Sequence, residues 1–172
     1  MLKSFVIGLT LFISGTANLY AGDLPDPKLT PGDTINVNKK FLCQAHYTAC
    51  VRHVTNPAAI YKAYGIKSHK PREYEIDHLI SLELGGSNNP ENLWPQSYVT
   101  EPLNAHVKDL LENKLNDMVC KDQISLEKAQ ELISKDWVTA FNRYGGTGAP
   151  RGRPRISQKD CKMLHDKFVV SK

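Results

Sequence analysis

The chain has 172 residues, 41% of them hydrophobic, which suits one domain with a single core and excludes a disordered protein. Its 22 Lys and Arg residues against 18 Asp and Glu residues give a modest formal net charge of +4. No segment repeats at a fixed period, which excludes a solenoid or another repeat architecture.

The first 21 residues are predicted to be a secretory signal peptide. Lys3 gives a positive start, residues 5–14 form an apolar run, and Ala21-Gly22 offers a cleavage point. The run is too short to span a bilayer as a mature helix, so an uncleaved anchor is the less favoured alternative. We therefore expect a periplasmic or secreted protein whose mature form does not associate with a membrane.

The next part of the chain is predicted to lead into the domain without a long element. Residues 22–40 are rich in Pro, Gly, Asp and Thr, which favours an extended leader. Residues 41–54 are expected to be irregular or to form short strands. A short helix should follow, capped by Asn56 with Pro57 in its first turn, and should end near Gly65. A basic connector then contains Lys67, His69, Lys70 and Arg72.

The central block is predicted to be two strands joined by a loop. Residues 73–80 alternate in polarity and favour a strand. Residues 85–90 (GGSNNP) have the composition of a loop. A short second strand over 92–94 should end at Pro95, because proline has no backbone N–H to donate.

Two longer helices are predicted next, each with an apolar face at three- and four-residue spacing. The first covers about 101–119, capped by Thr100, with Pro102 in its first turn. The second is capped by Ser125 and extends to about residue 144. The predicted domain is thus 41–144. A basic C-terminal extension, 145–172, should contain a flexible loop and a last short helix over about 156–170.

The four cysteines favour two disulfide bonds. An even number of cysteines in an exported chain indicates disulfides, and the lack of a CxxC pair makes a structural zinc site unlikely on spacing alone. Three pairings are open. We favour Cys43 with Cys120 and Cys50 with Cys161, because both would tie the flanking segments to the centre.

The central block resembles exported endonuclease-like proteins of the HNH family. The resemblance lies in residues 74–88 (YEIDHLISLELGGSN) and 92–95 (NLWP), and it continues through parts of 104–144. It implies an α+β fold with a ββα-metal core, also called a His-Me finger, with flanking helices. Ser81 stands where many HNH motifs have proline. We expect disulfides to brace this core in place of the zinc found in many HNH proteins.

The resemblance implies roles for three residues, and the chemistry agrees with them. Hydrolysis of a phosphodiester needs an activated water, and a histidine with a pKa near 6.5 can take its proton at neutral pH. His78 is therefore the predicted general base. Asp77 points to the opposite face of the strand and suits a hard metal ion. Asn92 should orient the base by binding the loop backbone.

A further metal ligand is expected from the first long helix, where Asn104 and His106 are the candidates. On a helical wheel Asn104 shares the apolar face, where an amide needs a partner, whereas His106 lies on the polar side. We therefore favour Asn104, with His106 as the alternative that many HNH motifs would suggest. One divalent ion is expected, with Mg²⁺ favoured over Mn²⁺ and Zn²⁺.

The basic residues predict a nucleic-acid surface without base-specific contacts. From Arg143 to the C-terminus the chain has eight Lys and Arg residues but only two Asp and Glu residues. Such side chains bind phosphates and give affinity without sequence preference, although a solvated basic surface is an equal alternative. The candidates are Lys67, Lys70, Arg72, Lys108, Arg151, Arg153 and Arg155.

These features predict a monomeric, metal-dependent endonuclease that cuts DNA, and by extension RNA, with low sequence specificity. An alternative is a secreted nucleic-acid-binding or interaction protein that keeps the ββα scaffold without cleaving. The sequence does not indicate whether an inhibitor protein binds the enzyme.

Overall fold

A computed structural model describes residues 24–54 and 56–170 of the chain. The predicted signal peptide lies outside these residues. The described part combines helices with one small antiparallel sheet, which confirms the α+β class and the two predicted disulfides. Its elements are α1 (Lys39–Leu42), α2 (Tyr47–Val51), α3 (Pro57–Ala63), β1 (Tyr74–His78), β2 (Leu93–Ser97), α4 (Ala105–Cys120), α5 (Leu126–Tyr144) and α6 (Gln158–His165).

The two strands pair with Ile76 opposite Pro95 and His78 opposite Leu93. Strand β1 ends at His78, before the predicted end at residue 80. The reason is that the N–H and the carbonyl of Ile80 form hydrogen bonds with the Asn92 side chain and not with the other strand. The prediction that Pro95 ends the second strand is wrong, since β2 continues to Ser97. In a two-stranded sheet both strands are edges, where the missing N–H of a proline costs no ladder bond.

Helix α4 begins at Ala105, four residues after the predicted start. Asn104 is its N-cap, and the Asn104 side chain accepts a hydrogen bond from the Val107 N–H at 3.2 Å. Thr100 therefore does not cap the helix, and Pro102 precedes it. Helix α5 is capped by Ser125 as predicted. The apolar faces of α4 and α5 form the main core with Ile80 and Leu84; its largest member is Trp137.

The prediction of strands or irregular chain over 41–54 is wrong, because this segment contains the short helices α1 and α2. They pack with Val37, Leu82 and Leu164 in a second core cluster. The favoured disulfide pairing is confirmed: Cys43 bonds to Cys120, and Cys50 bonds to Cys161. The second bond ties α2 to α6, so the C-terminal extension is attached to the domain as predicted. A π-helical turn, Asp166–Val170, follows α6.

Helix α3 agrees with its prediction, since Asn56 caps it by accepting from the Ala59 N–H at 3.1 Å. Gly65 follows the helix with a φ of +71°. No helix in the two described ranges is long and apolar enough to cross a membrane.

The loop between the strands is held against the leader. Ile35 donates its N–H to the Gly85 carbonyl at 2.9 Å, and Ser87 donates to the Asp33 carbonyl at 3.0 Å. At Gly86 a Cβ atom would lie 1.7 Å from the Ile80 carbonyl oxygen, far inside any van der Waals contact. The loop can therefore pass this close to the end of β1 only with glycine at position 86.

Gly86→Ala should destabilise the protein by about 3 kcal/mol or more, because the added methyl group must displace backbone atoms. The matched control is Gly148→Ala, where an added Cβ meets no atom within 4 Å in the described structure. Chemical denaturation of both oxidised variants measures the difference. Equal unfolding free energies for the two variants would contradict the close approach at Gly86.

Candidate active site at the end of the first strand

His78 is the last residue of β1 and is only 1% exposed. Its Nε2 lies 3.1 Å from the Asn88 Oδ1, which can only accept, so the neutral ring carries its proton on Nε2. Asn88 is itself held, because its Nδ2 donates to the Val51 carbonyl at 2.7 Å. The Nδ1 of His78 is buried and has no hydrogen-bond partner among the described residues. A fixed imidazole thus retains one unused lone pair.

Burial lowers the pKa of His78 to about 4, although the negative charge of Asp77 opposes the shift. The ring is therefore neutral at neutral pH and able to accept a proton at Nδ1. A proton acceptor of low pKa is a weak base, so its use in catalysis would depend on close positioning of the water.

Asn92 is completely buried and makes the backbone hydrogen bonds predicted for it. Its Oδ1 accepts from the Ile80 N–H at 2.9 Å, and its Nδ2 donates to the carbonyls of Ile80 and Ser87 at 3.0 and 2.9 Å. One side chain therefore connects the end of β1, the glycine loop and the start of β2. The path of the chain just after His78 depends on this amide.

Asp77 faces the opposite side of β1 from His78 and points toward α4. Its Oδ2 lies 2.7 Å from the Nζ of Lys108, whose side chain is 0% exposed. The same ammonium donates to the His78 carbonyl at 2.7 Å and to the Glu112 Oε1 at 2.5 Å. The prediction that Lys108 lies on a DNA-binding surface is therefore wrong, because two carboxylates and a carbonyl hold it inside the protein.

The charge of Lys108 is stabilised by its partners. Burial alone would lower its pKa, but the charges of Asp77 and Glu112 outweigh burial and raise the pKa above the usual range. Glu112 was not among the predicted site residues. The sequence did carry a signal for it, because Lys108 and Glu112 are four residues apart on a helix and face each other.

The Asp77 side of β1 is rich in carboxylates. Glu75 shares this face, since residues two apart on a strand point the same way, and its Oε2 accepts from the Tyr98 hydroxyl at 2.6 Å. Burial raises the pKa of Glu75, and the charge of Asp77 raises it further. The same two causes raise the pKa of Asp109 on α4. Negative charge is therefore concentrated around Asp77.

The predicted metal ligands occupy different surroundings. Asn104 is 7% exposed and caps α4, whereas His106 is exposed and its ring lies 4.9 Å from that of Tyr98. Within 24–54 and 56–170, no group of three or more His, Cys, Asp and Glu side chains could hold a metal ion. The helical-wheel reasoning for Asn104 no longer applies, because Asn104 precedes the helix.

Two oxygen donors still fit a hard divalent cation. The Oδ1 of Asp77 makes no hydrogen bond within the described part of the chain, and the Oδ1 of Asn104 has a second lone pair beside its cap bond. Mg²⁺ characteristically takes one or two protein oxygens and keeps several waters. The donor chemistry therefore suits Mg²⁺, although the neighbouring Lys108 ammonium would weaken its binding.

The other basic residues fall into two groups. Arg153 is mostly buried; its Nη1 donates to Asn116, and its Nη2 lies 3.7 Å from the Asp117 carboxylate. The guanidinium is thus held by Asn116 and Asp117, and its role in binding phosphate stays a prediction. The side chains that are exposed and available to phosphates are Lys67, Lys70, Arg72, Arg151 and Arg155.

A further, half-buried carboxylate, Glu83, follows β1 in a short 3-10 turn, Leu82–Leu84. Burial raises the pKa of Glu83 to about 7, and the charge of Arg153 opposes this shift. Sequence reasoning missed Glu83, because its burial depends on a loop that is distant along the chain.

Comparisons with protein-family models, curated proteins and solved structures found no match to this chain.

Lys108→Met should destabilise the protein by about 3–5 kcal/mol, because it leaves Asp77 and Glu112 without a counter-charge in the interior. Lys128→Met is the matched control, since Lys128 forms an exposed pair with Glu131 at 2.7 Å. The unfolding free energy of that control should be close to that of the wild type. Urea denaturation of the two variants measures the contrast, and a loss of similar size in both would refute the buried ion-pair network.

The raised pKa of Glu83 predicts a pH-dependent stability. The folded protein holds this proton up to about pH 7, whereas the unfolded chain releases it near its ordinary value of 4.5. This stabilisation is complete below about pH 4.5 and is lost as the pH rises through 7, for a total of about 3 kcal/mol. Glu83→Gln should remove that dependence, measured as the difference in unfolding free energy between wild type and variant from pH 4.5 to 8. If the unfolding free energies of wild type and variant differ by the same amount at every pH in this range, the raised pKa of Glu83 is contradicted.

Proposed function

We propose that this chain is a divalent-metal-dependent nuclease of the HNH type that hydrolyses phosphodiester bonds outside the cytoplasm. The observation that carries the proposal is the His78 ring. Its Nε2 is held by Asn88, its Nδ1 lone pair is unused within the described chain, and Asp77 precedes it. A histidine retained only for packing would not require such a fixed tautomer beside an acidic cluster.

The arrangement of elements supports a ββα core. Strands β1 and β2 form a hairpin, and α4 packs beside it through the bond between Lys108 and Asp77. The side chain of Asn92 braces the connecting loop, as the middle residue does in the family that the sequence resembles. Asp77 and His78 thus lie on β1, and Asn104 lies at the start of α4.

The proposed step is attack of water on the phosphorus atom. The Nδ1 of His78 takes a proton from the water, the new P–O bond forms, and the bond to the sugar oxygen breaks. The leaving oxygen receives its proton from solvent. Asn88 keeps the ring oriented throughout, and Asn92 keeps the backbone after His78 in place.

Asp77 and Asn104 would hold the metal ion, which when bound supplies positive charge against the charge that develops on the phosphate. Lys108 sets the position of Asp77 through its bonds to that carboxylate and to the His78 carbonyl. The exposed basic residues Lys67, Lys70, Arg72, Arg151 and Arg155 would contact phosphates of DNA or RNA without reading the bases.

The two disulfides are compatible with an oxidising compartment. We therefore retain the periplasm or the extracellular space as the site of action. The enclosure of the His78 Nδ1 favours a second candidate function, that of a nucleic-acid-binding protein which keeps the scaffold without cleaving. For cleavage, a local movement has to admit water to this nitrogen.

The oxidised protein should cleave plasmid DNA in the presence of Mg²⁺ or Mn²⁺. Cleavage should stop when a chelator is added. His78→Ala should lower the cleavage rate by roughly 10²- to 10⁴-fold, the usual contribution of a general base. The control is His53→Ala, whose side chain is exposed and whose backbone bond to Asn88 is unaffected by the substitution.

Circular dichroism of each variant separates loss of catalysis from loss of fold. Absence of cleavage by the folded wild type with Mg²⁺, Mn²⁺ and Zn²⁺ would reject the nuclease and leave the binding protein. If His78→Ala and His53→Ala lower the cleavage rate equally, His78 is rejected as the general base.

A further inference from the structure

A separate cavity lies beside α4, on the side of the C-terminal loop. It has a volume of about 300 Å³, which is at the small end of the range for ligand sites. Its walls come from four parts of the chain: the segment between α1 and α2, the 3-10 turn, α4 and the loop before α6. The polar residues that line it are Gln44, His46, Tyr47, Thr48, Glu83, Asn113 and Arg153.

The walls of this cavity are fixed by bonds. Asn116 donates to the carbonyls of Leu42 and Glu83 at 3.3 and 2.6 Å, and its Oδ1 accepts from Arg153. The loop is attached through Ala45, which donates to the Pro154 carbonyl at 3.0 Å and accepts from the Ile156 N–H at 3.1 Å. The cavity is therefore preformed, because closing it would break these bonds.

Two buried polar atoms of the lining residues have no partner among the described residues: the Oε1 of Gln44 and the hydroxyl of Tyr47. The Nη2 of Arg153 makes no hydrogen bond there either, but it lies 3.7 Å from the Asp117 carboxylate. Tyr47 is only 2% exposed. Buried polar groups in native proteins are nearly always bonded, so two such atoms on residues that line one cavity point to a polar occupant.

The three atoms without hydrogen bonds define the chemistry of that occupant. Gln44 offers an acceptor, Arg153 offers a donor, and the Tyr47 hydroxyl can do either. Above about pH 7, where Glu83 loses its proton, a free anion would be repelled by the Glu83 carboxylate. A free cation would be repelled by the Arg153 guanidinium. A neutral, compact group with donors and acceptors on one edge satisfies all of these constraints, and the edge of a nucleobase is such a group.

The cavity shares two elements with the candidate active site: α4 and the 3-10 turn that follows β1. Glu83 is close enough to Lys108 and Asp109 for their charges to shift its pKa. Asn113, which lines the cavity, lies one helical turn after Asp109 and donates to the Asp109 carbonyl at 2.9 Å. The proposed occupant is therefore a base that neighbours the phosphate bound at the candidate active site.

We propose that the cavity lined by Gln44, Tyr47, Glu83 and Arg153 is a base pocket that binds one unstacked nucleobase of the substrate. This rests on the proposed nuclease function for its biological meaning. A base within a duplex cannot enter such a pocket without leaving the stack, so the pocket favours single-stranded or locally opened nucleic acid.

Binding of free nucleosides tests the base pocket without cleavage. The oxidised protein is titrated with adenosine, guanosine, cytidine and uridine, and binding is followed by NMR chemical shifts. At least one nucleoside should bind saturably, with shifts at residues of the pocket. Tyr47→Phe should weaken that binding roughly tenfold, the usual effect of one hydrogen bond.

Tyr47→Phe is a suitable variant because the hydroxyl has no partner within the described chain, so its removal costs the fold no hydrogen bond. Tyr64→Phe is the matched control: its hydroxyl bonds to the Thr30 Oγ1 at 2.7 Å, and it does not line the cavity. The affinity of Tyr64→Phe for the nucleoside should equal that of the wild type.

The proposal is overturned if no nucleoside binds saturably, if Tyr47→Phe binds like the wild type, or if glycine or inorganic phosphate displaces the nucleoside with equal affinity. The two proposals can fail separately. If the protein binds a nucleoside but does not cleave nucleic acid, only the proposed nuclease function is rejected. If it cleaves nucleic acid but binds no nucleoside, only the proposed base pocket is rejected.

Discussion

The buried ammonium of Lys108 is the interaction on which the candidate active site depends. It joins the two carboxylates of Asp77 and Glu112 and the carbonyl of His78, so it connects β1 to α4 through charge-assisted hydrogen bonds. Burying either carboxylate without a counter-charge would cost free energy of folding. Together with one ammonium they form a hydrogen-bonded group in which the charge of Lys108 offsets that of the carboxylates, and burial raises the pKa of Glu112.

The opposite side of β1 is held by amides. Asn88 binds the His78 ring, and Asn92 binds the backbone two residues later, so His78 is fixed through its side chain, its own carbonyl and the following chain. Within the Asp77 and His78 side chains, the atoms left without hydrogen bonds to the described chain are the His78 Nδ1 and the Asp77 Oδ1. These are the two atoms that acid–base and metal chemistry would use, which distinguishes the site from an ordinary satisfied core histidine.

The sequence allowed prediction of features that depend on local patterns. Spacing of apolar residues predicted α4 and α5, and the cap residues Asn56 and Ser125 predicted where two helices begin. Features set by contacts distant in sequence were missed. Helices α1 and α2 have four and five residues, too short to be stable without tertiary packing, so their local sequence carries little signal. Lys108 was predicted on the surface because the partner that buries it, Asp77, is 31 residues away.

Helix α4 and its N-cap residue carry two stripes of mostly buried residues side by side. An apolar stripe at four-residue spacing (Leu111, Leu115, Val119) packs in the main core, and a polar stripe (Asn104, Lys108, Glu112, Asn116) faces the hairpin and the C-terminal loop. Apolar contacts alone would tolerate a shift of the helix by one turn. The polar stripe would not, because such a shift would leave the Lys108 ammonium and the Asn116 amide without partners. The polar stripe therefore fixes the axial position of α4, and that position sets Lys108 against Asp77 and Asn116 against Arg153. The candidate active site and the cavity beside it consequently depend on the same helix register.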